Sequence, residues 1–134
     1  MLSHSFNLRV RYGETDQMGV VYHGSYPAYF EQGRTEWLRE MGVTYRWMEE
    51  NRIMLPVTEI SIKYTKPARY DDLLKVTTQL RENPTYKITF DYELFNEQDE
   101  LLATAFTTLV FINMDTNKLM RSPTFLHEVI AGKL

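Results

Sequence analysis

Hydrophobic and polar residues alternate along this chain with two different periods, and the change of period divides it into elements. Residues 6–12 (FNLRVRY) alternate with period two, the pattern of a half-buried strand. Further on the period lengthens. Tyr26, Tyr29, Phe30, Gly33, Trp37, Leu38 and Met41 recur at intervals of three and four and form the apolar stripe of one long helix. Ser25 predicts its N-cap, and Pro27 suits the first turn, where its missing N–H would have no intrahelical partner. Gly42 predicts the C-terminal stop. Gly33 costs such a helix on the order of 1 kcal/mol against alanine, so its place on the stripe predicts that a sheet or a ligand approaches closely there. Residues 43–52 predict a short second helix.

From residue 56 onward the pattern returns to strands. Residues 56–68 predict one long strand interrupted at Pro67. In residues 73–82, Leu74, Val76, Thr78 and Leu80 share a face, as do Tyr86, Ile88, Phe90, Tyr92 and Leu94 in residues 85–96. Residues 101–113 (LLATAFTTLVFIN) are apolar or threonine at both parities, which predicts a strand covered on both faces. One helix covers one face, so the other is expected to meet a second subunit. Residues 122–132 predict a closing helix with Ser122 as N-cap and Pro123 in the first turn. A strand, a long helix and then four strands joined by hairpin-length connections predict an α+β fold, an antiparallel sheet packed on the helix.

Composition changes this picture little. The 134 residues, 43% hydrophobic and 25% charged, suit one ordinary globular domain over residues 1–134. A net charge of −3 argues against nucleic-acid binding by bulk electrostatics. The chain has no cysteine, which removes disulfides, thiol nucleophiles and cysteine-ligated metals and fits a cytoplasmic protein. The first residues lack an apolar signal core, and the greasiest run is too short to cross a bilayer. Neither a targeting peptide nor a membrane span is therefore expected. His4, His23 and His127 show no metal-ligand spacing, and glycine loops for phosphate and nucleophile elbows are absent from the sequence.

The candidate chemistry sits in residues 12–23, YGETDQMGVVYH. Asp16 lies in a loop whose apolar continuation re-enters the core at once, which places a carboxylate near a pocket wall. Aspartate also builds plain turns by accepting from nearby N–H groups. His23 stands just before the helix, where backbone N–H groups point toward an anionic or carbonyl oxygen. Glu14 reads as solvated or ion-paired. Glu31 reads as paired with Arg34 one helical turn on, or as a support to the site. Lys63, Lys66 and Arg69 form a small basic cluster, suited to phosphate groups or to a solvated edge.

Residues 11–42, with the run Tyr-x-Glu-Thr-Asp, Gly-Val-Val-Tyr-His, Phe-Glu and Gly-Arg-Thr-Glu, resemble the hotdog-fold acyl-CoA thioesterases of the 4-hydroxybenzoyl-CoA thioesterase-like family. They are most similar to the branch related to the Tol-Pal-associated thioesterase. Residues 62–78 resemble the same family's strand-turn-strand. The resemblance implies a hotdog fold, with a five-stranded antiparallel sheet wrapped around a long central helix. It implies hydrolysis of an acyl-CoA thioester to free acid and coenzyme A, with no cofactor beyond the coenzyme A carried by the substrate. It also implies a homodimer with a continuous sheet, often paired into a homotetramer, whose sites use two chains. Asp16 takes the family's aspartate position and His23 supplies the carbonyl donor. Tyr22, Gly24, Ser25, Glu31, Lys63, Lys66 and Arg69 are the expected substrate contacts. Ser25 stands where asparagine is common in this branch. A hotdog protein that only binds acyl-CoA or acyl carrier protein, and a hotdog hydratase or dehydratase, are the alternatives.

Overall fold

The computed structural model describes residues 2–133. In chain order these form β1 (Ser3–Arg9), α1 (Tyr26–Met41), α2 (Tyr45–Glu50), β2 (Ile53–Met54), β3 (Val57–Tyr64), β4 (Leu73–Leu80), β5 (Lys87–Phe95), β6 (Leu101–Val110), β7 (Ile112–Asn113), β8 (Lys118–Leu119) and α3 (Thr124–Lys133). The main sheet has five strands in the order β1-β4-β5-β6-β3, and each neighbouring pair is antiparallel. A second sheet of three short strands, β2-β7-β8, had no counterpart in the expected elements. It arises because the apolar run that begins at Leu101 breaks at Phe111 and changes partners.

The core lies between α1 and the main sheet. Tyr29, Phe30, Trp37 and Leu38 of α1 are fully buried, and so are Leu74, Val76, Phe90 and Leu94 beneath them. Burial of each such side chain contributes about 1.5–3 kcal/mol before conformational entropy is counted. Gly33 sets the closest approach. A Cβ there would stand 2.5 Å from Thr78 Oγ1 and 2.7 Å from Val76 Cγ1, so the sheet is what comes near. Gly42 ends α1 with φ +81° and donates its N–H back to Arg39 and Leu38 carbonyls.

Three expectations change. Ser25 stands at the N-terminus of α1, but its side chain caps nothing. A 3₁₀ turn, residues 23–25, runs straight into the helix and holds Ser25 in helical conformation, so a capping geometry is not available to it. Ser122 bonds the Pro84 carbonyl and the His127 ring. The long strand expected over residues 56–68 ends at Tyr64, before Pro67.

The position of α1 leaves one part of the sheet bare. The helix lies chiefly over β1 and β4, while β3 is the far edge strand. Val57, Ile60, Ile62 and Tyr64 pair with Leu109, Thr107, Ala105 and Ala103, so they share the inner face of β6. Yet Val57, Ile60 and Tyr64 are between 42% and 47% exposed. On the other face of β6, Thr104, Phe106, Thr108 and Val110 are already half-buried within the chain. Arg81 lies 4.8 Å over the Phe106 ring, and the Thr89 and Thr108 hydroxyls bond at 3.1 Å. The barer apolar surface thus sits at β3.

Candidate functional site

The loop after β1 is built by backbone bonds that the sequence makes easy. Asp16 N–H donates to Val20 O at 2.9 Å, and Gly19 N–H to Asp16 O at 3.0 Å. Gly19 has φ +79°, a conformation that favours glycine. Asp16 Oδ1 accepts the Met18 N–H at 2.9 Å, which is the turn role open to any aspartate. The turn role and the pocket position coexist, because Oδ2 has no partner among the described residues and the side chain lines a cavity. After the turn, Val21 N–H donates to Ala68 O, which docks the loop on the segment that follows β3.

That cavity, about 300 Å³, is lined by Asp16, Met18, Val20, Val21, His23, Tyr26, Tyr64, Thr65, Lys66 and Pro67. It brings together Asp16, the helix start and the far end of β3. His23 opens the 3₁₀ turn. Its carbonyl accepts from Tyr26 N–H and from the Tyr64 hydroxyl at 2.9 Å. The N–H groups of His23 and Gly24 meet no acceptor among the described residues. They are the free donors of the helix start. Burial pushes the Tyr26 phenol above its ordinary range, and the smaller burial of Tyr64 does the same, so both remain protonated at neutral pH. Their rings meet edge to face, 4.8 Å apart, and wall the cavity. The helix stripe had marked Tyr26 for the core, and nothing had marked Tyr64 as a wall. Only folding shows that the end of β3 meets the start of α1.

The other expected contacts are dispersed. Tyr22 is half-exposed, packs its ring on His23 with centroids 4.4 Å apart, and stands outside the cavity wall. Gly24 leaves room for that ring, since a Cβ would meet it at 2.5 Å. Ser25 Oγ donates to Glu14 O at 3.3 Å. Lys66 lines the cavity, but its ammonium is engaged by Glu100 at 2.5 Å. Arg69 is exposed, and its backbone bridges to Val20 beside the loop. Lys63 is exposed on β3.

Glu31 is not at this cavity. With Arg34, Thr35, Tyr45 and Leu55 it lines another of about 280 Å³. The expected Glu31–Arg34 pair does not form either. Arg34 is 93% buried and donates through Nε to the hydroxyl of Tyr45, the first residue of α2, at 2.9 Å. Glu14, read from sequence as solvated or paired, is ion-paired to Arg11 with Nε–Oε2 at 3.2 Å.

Comparison with known proteins agrees with this architecture. Residues 10–130 match the Thioesterase-like superfamily, and the chain belongs to it. It is 33% identical over 106 residues to the acyl-CoA thioester hydrolase YbgC of Escherichia coli O6:H1, covering 79% of each chain. It is 41% identical over 91 residues to the acyl-CoA thioesterase YbgC of Haemophilus influenzae, covering 67% of each. A DHNA-CoA thioesterase structure from Staphylococcus aureus superposes with a TM-score of 0.93 at 34% identity, over 99% of this chain and 91% of that one. The fold is the hotdog fold of thioesterases.

Proposed function

We propose that this protein hydrolyses acyl-CoA thioesters, with Asp16 as the catalytic carboxylate and the His23 and Gly24 N–H groups as donors to the thioester carbonyl. The observation that carries the reading is one cavity holding a carboxylate with a free oxygen at the start of a helix whose first donors are unpaired. Donors fixed by the backbone stabilise the developing oxyanion without reorganising. Asp16 then follows one of two routes. It takes a proton from water, whose oxygen attacks the carbonyl carbon. Alternatively, Oδ2 attacks that carbon itself, and water cleaves the resulting anhydride. In both, the C–S bond breaks, coenzyme A leaves as thiolate and is protonated, and the acid is freed. Neither route calls on a cofactor.

Arg69 and Lys63 are the exposed cations available to the nucleotide phosphates; Lys66 would first have to leave Glu100. The bare inner face and open edge of β3 support a homodimer in which two β3 strands pair and continue the sheet. Such pairing would bring the partner chain beside the cavity mouth, where Tyr64 and Thr65 stand. A homotetramer is a further pairing of such dimers. The absence of cysteine suits a cytoplasmic setting.

The test is a thiol-release screen over short, long, branched and aromatic acyl-CoAs and acyl-carrier-protein thioesters. It is run on the native chain and on Asp16→Asn. The expected result is turnover of at least one class, with a loss of 10²-fold or more in kcat for the variant, about the lower bound for removing a general base. Near-native turnover by Asp16→Asn overturns the assignment. Tight binding across the panel without thiol release would make this a binding protein. Single turnover in ¹⁸O-water tests the anhydride route, because label enters Asp16 only when water opens an anhydride at the aspartyl carbon.

A further inference from the structure

Glu14 joins more of the site than any other residue in the loop. Its carboxylate is largely buried, with the side chain 16% exposed. Oε1 accepts the Arg11 N–H at 2.8 Å and the Tyr29 hydroxyl at 2.9 Å; Oε2 accepts Arg11 Nε at 3.2 Å. Its main-chain carbonyl accepts the Tyr22 N–H at 2.8 Å and the Ser25 hydroxyl at 3.3 Å. One residue thus ties the segment just after β1, the first turn of α1 and the 3₁₀ turn at the head of the helix. Asp16 lies two residues after Glu14, and His23 one residue after Tyr22. Both working groups hang from the same node.

The partners suit a fixed clamp. Tyr29 is fully buried. Burial, and then the bond to Glu14, push its phenol far above the ordinary range, so it stays a donor at every working pH. Burial pushes the Glu14 carboxyl up, but the Arg11 N–H, Tyr29 and the Arg11 guanidinium outweigh it and leave the group below its usual value. The clamp therefore stays charged and closed through the neutral range.

Building on the assignment of Asp16 and His23, we infer that Glu14 and Tyr29 form a positioning pair that sets the Asp16 loop against the helix start. Neither reaches the cavity wall, so each acts through the backbone it holds. Orientation errors near 1 Å cost reacting groups about 10²-fold in rate. Tyr29→Phe removes only the hydroxyl, and Glu14→Ala removes the whole clamp. Glu14→Gln keeps an acceptor at Oε1 and loses only the contact to the exposed Arg11 guanidinium.

The test measures kcat and KM on the best thioester of the screen for these three variants and for the Tyr29→Phe/Glu14→Ala double variant. Thermal unfolding is followed in parallel. Glu14→Ala and Tyr29→Phe should lower kcat about ten- to hundredfold with KM within threefold, and Glu14→Gln should keep kcat within about threefold. If Tyr29 acts through Glu14, adding Tyr29→Phe to Glu14→Ala should cost no further kcat. Native kcat in both single variants, or losses that simply multiply in the double variant, would overturn the pair. Should Glu14→Ala fold poorly, Tyr29→Phe, which removes a single hydroxyl, still decides it: native kcat there overturns the pair. Asp16→Asn separates the two levels. Full activity there removes the underlying assignment, whereas an inactive Asp16→Asn beside fully active clamp variants removes only the positioning pair.

Discussion

At the scale of single residues, His23 illustrates a side chain whose identity matters less than its backbone. Its imidazole is exposed against Tyr22, while its N–H is a free donor at the helix start. The chain before it happens to suit proline. Tyr22 has φ −60° and ψ 135°, the extended conformation that a residue preceding proline adopts, and proline is tolerated where a helix begins. His23→Pro therefore removes the N–H with little disturbance, and His23→Ala removes only the ring. The proline variant should be slower than the alanine variant by about 10²-fold, the loss typical of deleting one oxyanion donor. Comparing kcat of the two on one substrate checks this. Equal rates would place the carbonyl donor elsewhere. That Asp16 and His23 line one cavity could be expected from the sequence, because a carboxylate loop feeding a helix start is a local pattern and the family resemblance marked both positions. Glu14 was legible only as a paired charge. Its main partner, Tyr29, is fifteen residues away on the apolar stripe, and nothing in that stripe distinguishes a phenol held for its hydroxyl from one held for its ring.

At the scale of elements, periodicity located α1, both shorter helices and the strands of the main sheet, most of which bury one face against a common core; β3, whose residues stay largely exposed, is the exception. It did not reveal the β2-β7-β8 sheet, whose two-residue strands are too short to show a period. Nor could it show that Ser25 would be drawn into a 3₁₀ turn. Gly33 is the case where element and packing meet. Alanine would gain about 1 kcal/mol of helix propensity. Its methyl would stand within 2.7 Å of both Thr78 Oγ1 and Val76 Cγ1 on β4, and overpacking of this kind costs about 1–3 kcal/mol. Gly33→Ala should therefore lower the unfolding temperature despite the better helix former. Calorimetry gives the sign directly, and a rise would mean that α1 can lift from the sheet without loss.

For the whole molecule, the question is what covers β3. The five-stranded sheet spends its helix on the β1 side, and the other edge ends in a strand whose inner face carries Val57, Ile60, Ile62 and Tyr64. Apolar residues on an unpaired edge invite another strand. The sequence pointed to a second subunit through the threonine-rich β6. Threonine and a stacked arginine half-bury that outer face from within, and the barer apolar surface lies on the neighbouring strand, β3. Ile60 offers a test that separates an isolated chain from a paired one. At 42% exposure it contributes little to the lone chain, so Ile60→Asp should cost a monomer less than about 1 kcal/mol, near the range of surface substitutions. In a dimer joined through β3 the same change would bury an unpaired carboxylate from each chain in the one interface, a cost of several kcal/mol. Sedimentation should then show monomers where the native chain gives dimers. Activity should fall with them and return in part at high protein concentration, because the mouth of the Asp16 cavity lies at the Tyr64 end of this same strand. A monomeric variant with native kcat and KM would show that each chain completes its own site, and would confine the role of β3 to assembly.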